Sequence, residues 1–186
     1  MKNQTDRVLC SVVVAALACL GGSNAVAAQP TLSDQYSMEV DPESRTRLGD
    51  EVYQQVMGFF HDAELAIETQ DLDSLMELYS DNYTDGLHDK DSAKEIWTRI
   101  FKTFNTIATH HNMKLVNITA QKNVVVFRCS GLLLGVPSID KGSITIDNWN
   151  QQDHVLALEG GEWKLLGTYG RERKRLWFDK PMHPLF

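Results

Sequence analysis

FKTFNTIATHHNMKLV, residues 101–116, is the stretch in which the spacing of apolar residues changes. Up to Phe104 they fall three and four apart; from Ile107 onward they alternate with polar residues and β-branched side chains become common. The first spacing belongs to a helix with one buried stripe, the second to a strand with one buried face. A helical half therefore hands over to a sheet half at about Asn105.

Reading toward the N-terminus, Ala93, Ile96, Trp97, Ile100, Phe101 and Phe104 keep helical spacing behind a cap at Asp89 or Asp91. Asp71 is suited to cap a short helix whose face is Leu72, Leu75, Met76 and Tyr79, and Val52, Val56, Phe59, Phe60, Ala63 and Ile67 form the stripe of a longer one. Toward the C-terminus, residues 107–120, 124–134, 144–158 and 163–171 are strand-like, separated by Gln121-Lys122-Asn123, by the loop 135–142 containing Pro137, and by Gly160-Gly161. Helices first and hairpin-linked strands after predict an α+β fold, with three N-terminal helices packed in a curved antiparallel sheet.

Two strand segments carry polar groups that a plain core does not need. Successive strand side chains point to opposite faces, so His110 and His111 cannot both enter one site without a bulge, and a metal pair is excluded on geometry. We read them as ordinary sheet residues, one of them able to face inward. The second segment, ITIDNWNQQDH (144–154), is polar on both faces. Strict alternation puts Asp147, Trp149, Gln151 and Asp153 on one side and Asn148, Asn150, Gln152 and His154 on the other. Cys129 sits in the apolar run VVVFRCSGLLL and reads as a small buried hydrophobe rather than a nucleophile.

With 186 residues, 42% hydrophobic, the chain suits one domain with tails. Residues 1–27 read as a signal peptide: Lys2 and Arg7 precede the apolar run Val8–Leu20, and Ala25-Val26-Ala27 offers a cleavage site. The expected product is exported, periplasmic or secreted; the alternative is a lipoprotein anchored at Cys19, since Ala16-Leu17-Ala18-Cys19 resembles a lipobox, and only then is a membrane a partner. Residues 28–49 are polar and aperiodic and read as a disordered lead, 50–173 as the domain, and 174–186 as a C-terminal tail whose apolar groups fold back on the domain or dock a partner. A net charge of −7 argues against nucleic acid. No Walker loop, dinucleotide glycine fingerprint, Gly-x-Ser-x-Gly or His-Glu-x-x-His is present in the sequence, and no cofactor or metal is expected.

DLDSLMELYSDNY (71–83) and the closing GGEWKLLGTY hairpin (160–169) resemble the NTF2-like superfamily, with its SnoaL-like and ketosteroid-isomerase-like domains. The resemblance implies a cone-shaped, cystatin/NTF2-like sheet around the helices, an apolar pocket at its open end, and a homodimer. Phe60, Tyr83, Trp97, Phe101, Met113, Trp149 and Tyr169 are the candidate pocket lining. Isomerase-like relatives carry a first-helix tyrosine, which Tyr53 could match, and two strand aspartates, which no pair here matches. The expected function is an exported module that binds a small apolar or amphipathic ligand without catalysis. The alternative is a cofactor-independent isomerase, dehydratase or cyclase in which Asp147 or Asp153, its pKa raised by an apolar enclosure, is the general base, with His111, His154, Tyr83 or Tyr169 as donors.

Overall fold

The change of spacing at Asn105 marks a junction with no loop in it. In the computed structural model, which describes residues 38–139 and 142–170, the chain runs β1 (Met38–Val40), α1 (Pro42–Leu48), α2 (Asp50–Thr69), α3 (Leu72–Glu77), α4 (Lys90–Thr103), β2 (Phe104–Ile118), β3 (Val124–Pro137), β4 (Ile144–Glu159) and β5 (Glu162–Tyr169). The expected leader (1–27) and tail (174–186) lie outside the described residues.

The helices form where the stripe and caps predicted. α2 buries Val56, Phe59, Phe60, Ala63, Ala66 and Ile67 along one side. It stops at Gln70, whose left-handed backbone (φ 58°) turns its N–H back to the carbonyls of Ala66 and Ile67. The Gln70 side chain then donates to the Phe104 carbonyl at 2.7 Å, tying the end of α2 to the α4–β2 junction. Asp71 accepts from the Ser74 N–H at 3.1 Å, and Asp89 from the Ser92 N–H at 2.9 Å, so each satisfies a helix-start donor that has no partner within the helix.

Three expectations are corrected. The described residues contain four helices rather than three, and the stretch 28–49 is not a disordered lead throughout, because residues 38–48 form β1 and α1. α1 is held less by an apolar stripe than by bonds to one strand residue: Ser44 Oγ accepts the Leu115 N–H at 3.0 Å and Arg47 Nη1 donates to the Leu115 carbonyl at 2.6 Å. Leu48 alone is fully buried as its apolar anchor. Such a helix leaves almost no periodic signature. The sheet order is β1-β2-β3-β4-β5. β2 to β5 are antiparallel neighbours, as expected, but β1 runs parallel to β2, so the sheet is mixed.

β2, β3 and β4 are 15, 14 and 16 residues long, and register shifts interrupt each of their pairings. Extra residues on one strand bend and twist it, so the sheet curves around the helices. The helices fill the concave side: the Phe60 ring meets Phe127 edge-on at 5.7 Å, and Tyr79, Trp97 and Phe104 are buried beside them.

Candidate functional site

Strict alternation along β4 fails at one place, and the failure builds the site. Cys129 pairs with Gln152 and Gly131 with Trp149, so Asn150 and Gln151 together oppose the single residue Ser130. Gln151 takes a left-handed backbone (φ 55°). Ser130 closes this bulge with its own hydroxyl, donating to Asn150 Oδ1 at 2.8 Å and accepting the Gln151 N–H at 3.0 Å. Beyond the bulge the parity of the strand is reversed. Asp147 and Trp149 therefore share the buried face with Gln152, His154 and Leu156, whereas the expected partition set them on opposite sides.

Asp153 follows the reversal outward. Its carboxylate meets the Arg128 guanidinium in a two-pronged pair, Nε–Oδ1 at 2.7 Å and Nη2–Oδ2 at 3.0 Å, on the side away from His154. His111 occupies the buried face of β2 and His110 is only half-buried, as opposite faces require.

One cross-strand row joins His111, Gly131 and Trp149. Gly131 has no side chain, and any Cβ there would press on the His110 carbonyl oxygen and stand 2.7 Å from Trp149 Cζ2. The indole can therefore lie across β3, with its ring 5.3 Å from that of His111 and its Nε1–H directed to Cys129 Sγ at 3.2 Å. The same sulfur lies 3.3 Å from His111 Nδ1. His154 is wholly buried, with its ring 6.2 Å from those of both His111 and Phe60. Lost hydration is the main cause that pushes His111 down to about 3, with repulsion from His154 and His110 adding to it, so His111 is neutral throughout the physiological range. Burial pushes the Cys129 thiol up to about 12, against the opposing bonds from Trp149 and the Asn112 backbone.

A chain of hydroxyls continues from there toward the helices. Thr168 is the cross-strand partner of His154; its Oγ1 is 3.2 Å from Tyr83 Oη. The Tyr83 ring packs on Tyr79 at 4.7 Å, and Tyr79 Oη accepts the Trp97 indole N–H at 2.9 Å. Thr109, two residues before His111 on the same strand, has a buried hydroxyl without a hydrogen-bond partner. Burying a hydroxyl in that state costs about 1–3 kcal/mol. Of the expected lining residues, Phe60, Tyr83, Trp97, Met113 and Trp149 are buried in this interior, Phe101 packs half-buried on Trp97, and Tyr169 is 45% exposed.

Sequence reasoning missed Thr109, Thr168 and Gly131, and it gave Cys129 no polar role. The traceable signal was the Gly131 gap two residues from Cys129, set between the apolar runs of the strand. It also missed a buried pair in the loop after α3, where His88 Nδ1 lies 2.9 Å from Asp85 Oδ2 while Asp85 Oδ1 accepts the N–H groups of Leu87 and His88. That pair shapes the turn bearing Tyr83. On α2, one turn beyond Phe60, Glu64 is raised to about 7, chiefly by burial and then by Glu68. Outside the curved sheet, a groove of about 690 Å³ runs between α2, α3 and the β4–β5 turn, past Phe59, Asp62, Leu65, Leu78 and Trp163; none of the expected site residues lines it. Among the described residues no three His, Cys, Asp or Glu side chains are grouped to hold a metal ion.

The chain matches no protein-family model and no curated protein. Solved structures do resemble it. A candidate scytalone dehydratase from Novosphingobium aromaticivorans superposes with a TM-score of 0.59 at 12% identity, over 75% of this chain and 97% of the other. A type 2 LinA hexachlorocyclohexane dehydrochlorinase gives 0.51 at 14% identity, over 72% and 90%. A candidate dehydratase of the NTF2-like family from Streptomyces avermitilis gives 0.51 at 13% identity, over 64% and 95%. Likeness at such low identity carries the backbone and not the chemistry, but these relatives share the helices on a curved sheet seen here, and this chain has the NTF2-like fold.

Proposed function

We propose that the protein is a cofactor-independent acid–base enzyme that removes a proton and a leaving group from adjacent carbons of a small, largely apolar molecule, with His111 and His154 as its proton-handling residues. The observation that carries this reading is the buried group of polar side chains, His111, Cys129, His154 and Thr168 on the concave face of the sheet with Tyr83 of the α3–α4 loop bonded to Thr168. Apolar side chains of similar volume would pack there without the cost of burying polar groups, so a core alone gives no reason for them. Solved structures of the same fold lend support through their names, dehydratase and dehydrochlorinase, both of which denote eliminations.

In such a step one imidazole takes the proton from carbon, the C–H electron pair becomes the new double bond, and the C–X bond breaks with its pair leaving on X. A donor then protonates or hydrogen-bonds the departing group. His111, neutral by burial, suits such a site, because it has no proton to shed before it acts. Of the two candidate aspartates, Asp153 is removed from the role of base by its pair with Arg128 on the outer face, whereas Asp147 lies on the buried face. Phe60 packs on the His154 ring and Trp149 on the His111 ring, so the surroundings of both imidazoles are apolar.

The test is a panel of β-hydroxy ketones and related alcohols, with enone formation followed by absorbance. The wild type should turn over at least one member, and His111→Gln and His154→Gln should each lose about 100-fold or more in kcat with circular dichroism unchanged. Tight binding across the panel without turnover would return the chain to the role of a binding module. We propose also that the protein is exported through its leader, which mass measurement of the mature chain from the periplasmic or culture fraction tests.

A further inference from the structure

We propose that Cys129 is a positioning residue that holds His111 as the tautomer with its proton on Nε2, so that His111 is the hydrogen-bond donor of the site and His154 the base. The division of roles rests on the acid–base reading above; the tautomer does not.

A neutral imidazole has one N–H and one lone pair, and the partner of one nitrogen decides which is which. Nδ1 of His111 faces Cys129 Sγ at 3.3 Å. That sulfur already receives one donor, the Trp149 indole N–H at 3.2 Å. A thiol is a weak acceptor with one proton of its own, and burial keeps that proton on it. If His111 also donated from Nδ1, two donors would share one weak acceptor, and the thiol proton would be left with the Ser130 carbonyl oxygen at 3.7 Å. If the thiol donates to Nδ1 instead, the S–H and the Nδ1 lone pair satisfy each other at the shorter distance, 3.3 Å. The proton of His111 is then on Nε2, where it can be offered to an oxygen of the substrate but cannot take a proton from carbon. That task falls to the neighbouring ring, His154, 6.2 Å away.

The arrangement depends on two residues beyond the cysteine. Gly131 lets the indole cross the strand, and Trp149 then occupies the sulfur's acceptor side. Loss of the Trp149 donor would free the sulfur to accept from Nδ1 and allow the other tautomer.

Long-range proton–nitrogen correlation spectra of the ¹⁵N-labelled full chain read this directly, because protonated and unprotonated ring nitrogens resonate far apart. The wild type should show His111 Nε2 protonated and Nδ1 bare, unchanged from pH 5 to pH 8. Cys129→Ser, whose hydroxyl can donate in the same direction, should keep that pattern; Cys129→Ala should give a mixture or the reverse. On a substrate found by the panel, Cys129→Ala should lower kcat on the order of tenfold with KM little changed, and Cys129→Ser should restore it. A proton on Nδ1 in the wild type overturns the inference, as does an unaltered His111 pattern in Cys129→Ala. If the spectra agree but His111→Gln and His154→Gln leave turnover intact, the acid–base reading fails while the tautomer assignment stands.

Discussion

A neutral histidine sealed in a protein interior makes acid costly to the fold. His111 is pushed down to about 3, whereas the unfolded chain takes up that proton near the ordinary value of 6.5. Between the two the unfolded state holds more protons, so stability falls as pH drops from 6.5 toward 3. His111→Gln should remove one proton from that linkage, reducing the slope of unfolding free energy against pH by about 1.4 kcal/mol per unit within the window. Urea titrations at a series of pH values measure it, and an unchanged slope would contradict the burial of the ring. Cys129 gives a second residue-level expectation. The thiolate is the reactive form, and a thiol raised to about 12 supplies almost none at pH 8. Iodoacetamide should label Cys129 only after unfolding; prompt labelling of the native protein would show the sulfur to be open.

At the level of elements, the β3–β4 pair carries the most specific demand. Gly131→Ala should destabilise the protein by about 2 kcal/mol or more, because the added methyl meets the His110 carbonyl, which is fixed in the sheet, and the Trp149 ring, which must move aside. A near-ultraviolet spectrum showing Trp149 displaced should accompany the lower melting temperature. Asp89→Ala removes the α4 cap and should cost about 1 kcal/mol without touching that spectrum. These elements also show what could be read from the chain alone. α2, α3, α4 and the four long strands were legible because each buries one face, which imprints a spacing of three to four or of two. β1 and α1 were not, since their hold on β2 is through the backbone of Met113 and Leu115, which leaves no mark in side-chain types. The site was half legible. His111, His154, Tyr83 and Trp149 were named as candidates, yet the face assigned to each residue of β4 was wrong on one side of Gln151, a left-handed residue that no composition rule marks.

For the molecule as a whole, two titrations of opposite sense, at Glu64 and His111, act on the dependence on pH. Glu64 is raised from the ordinary 4.5 to about 7, so in that window the folded state holds more protons than the unfolded one and stability falls as pH rises. His111 acts the other way below 6.5. Between about 4.5 and 6.5 they offset each other, and greatest stability should lie on the acid side of neutrality. Glu64→Gln should shift that maximum upward and stabilise the protein at pH 8 on the order of 1 kcal/mol, after allowance for the solvent around a carboxyl that is only half-buried. Melting temperatures from pH 5 to pH 8 test both statements. The missing loop between α4 and β2 bears on the same whole. A helix turns by about 100° with each residue and a strand by about 180°. With Thr103 and Phe104 directly joined and Gln70 fastened to the joint, one inserted residue would find no slack to absorb it and would swing His111 and every neighbour on its strand to the far side of the sheet. The spacing from Asp89 to His111 is therefore part of what builds the site, as much as the identity of any residue within it.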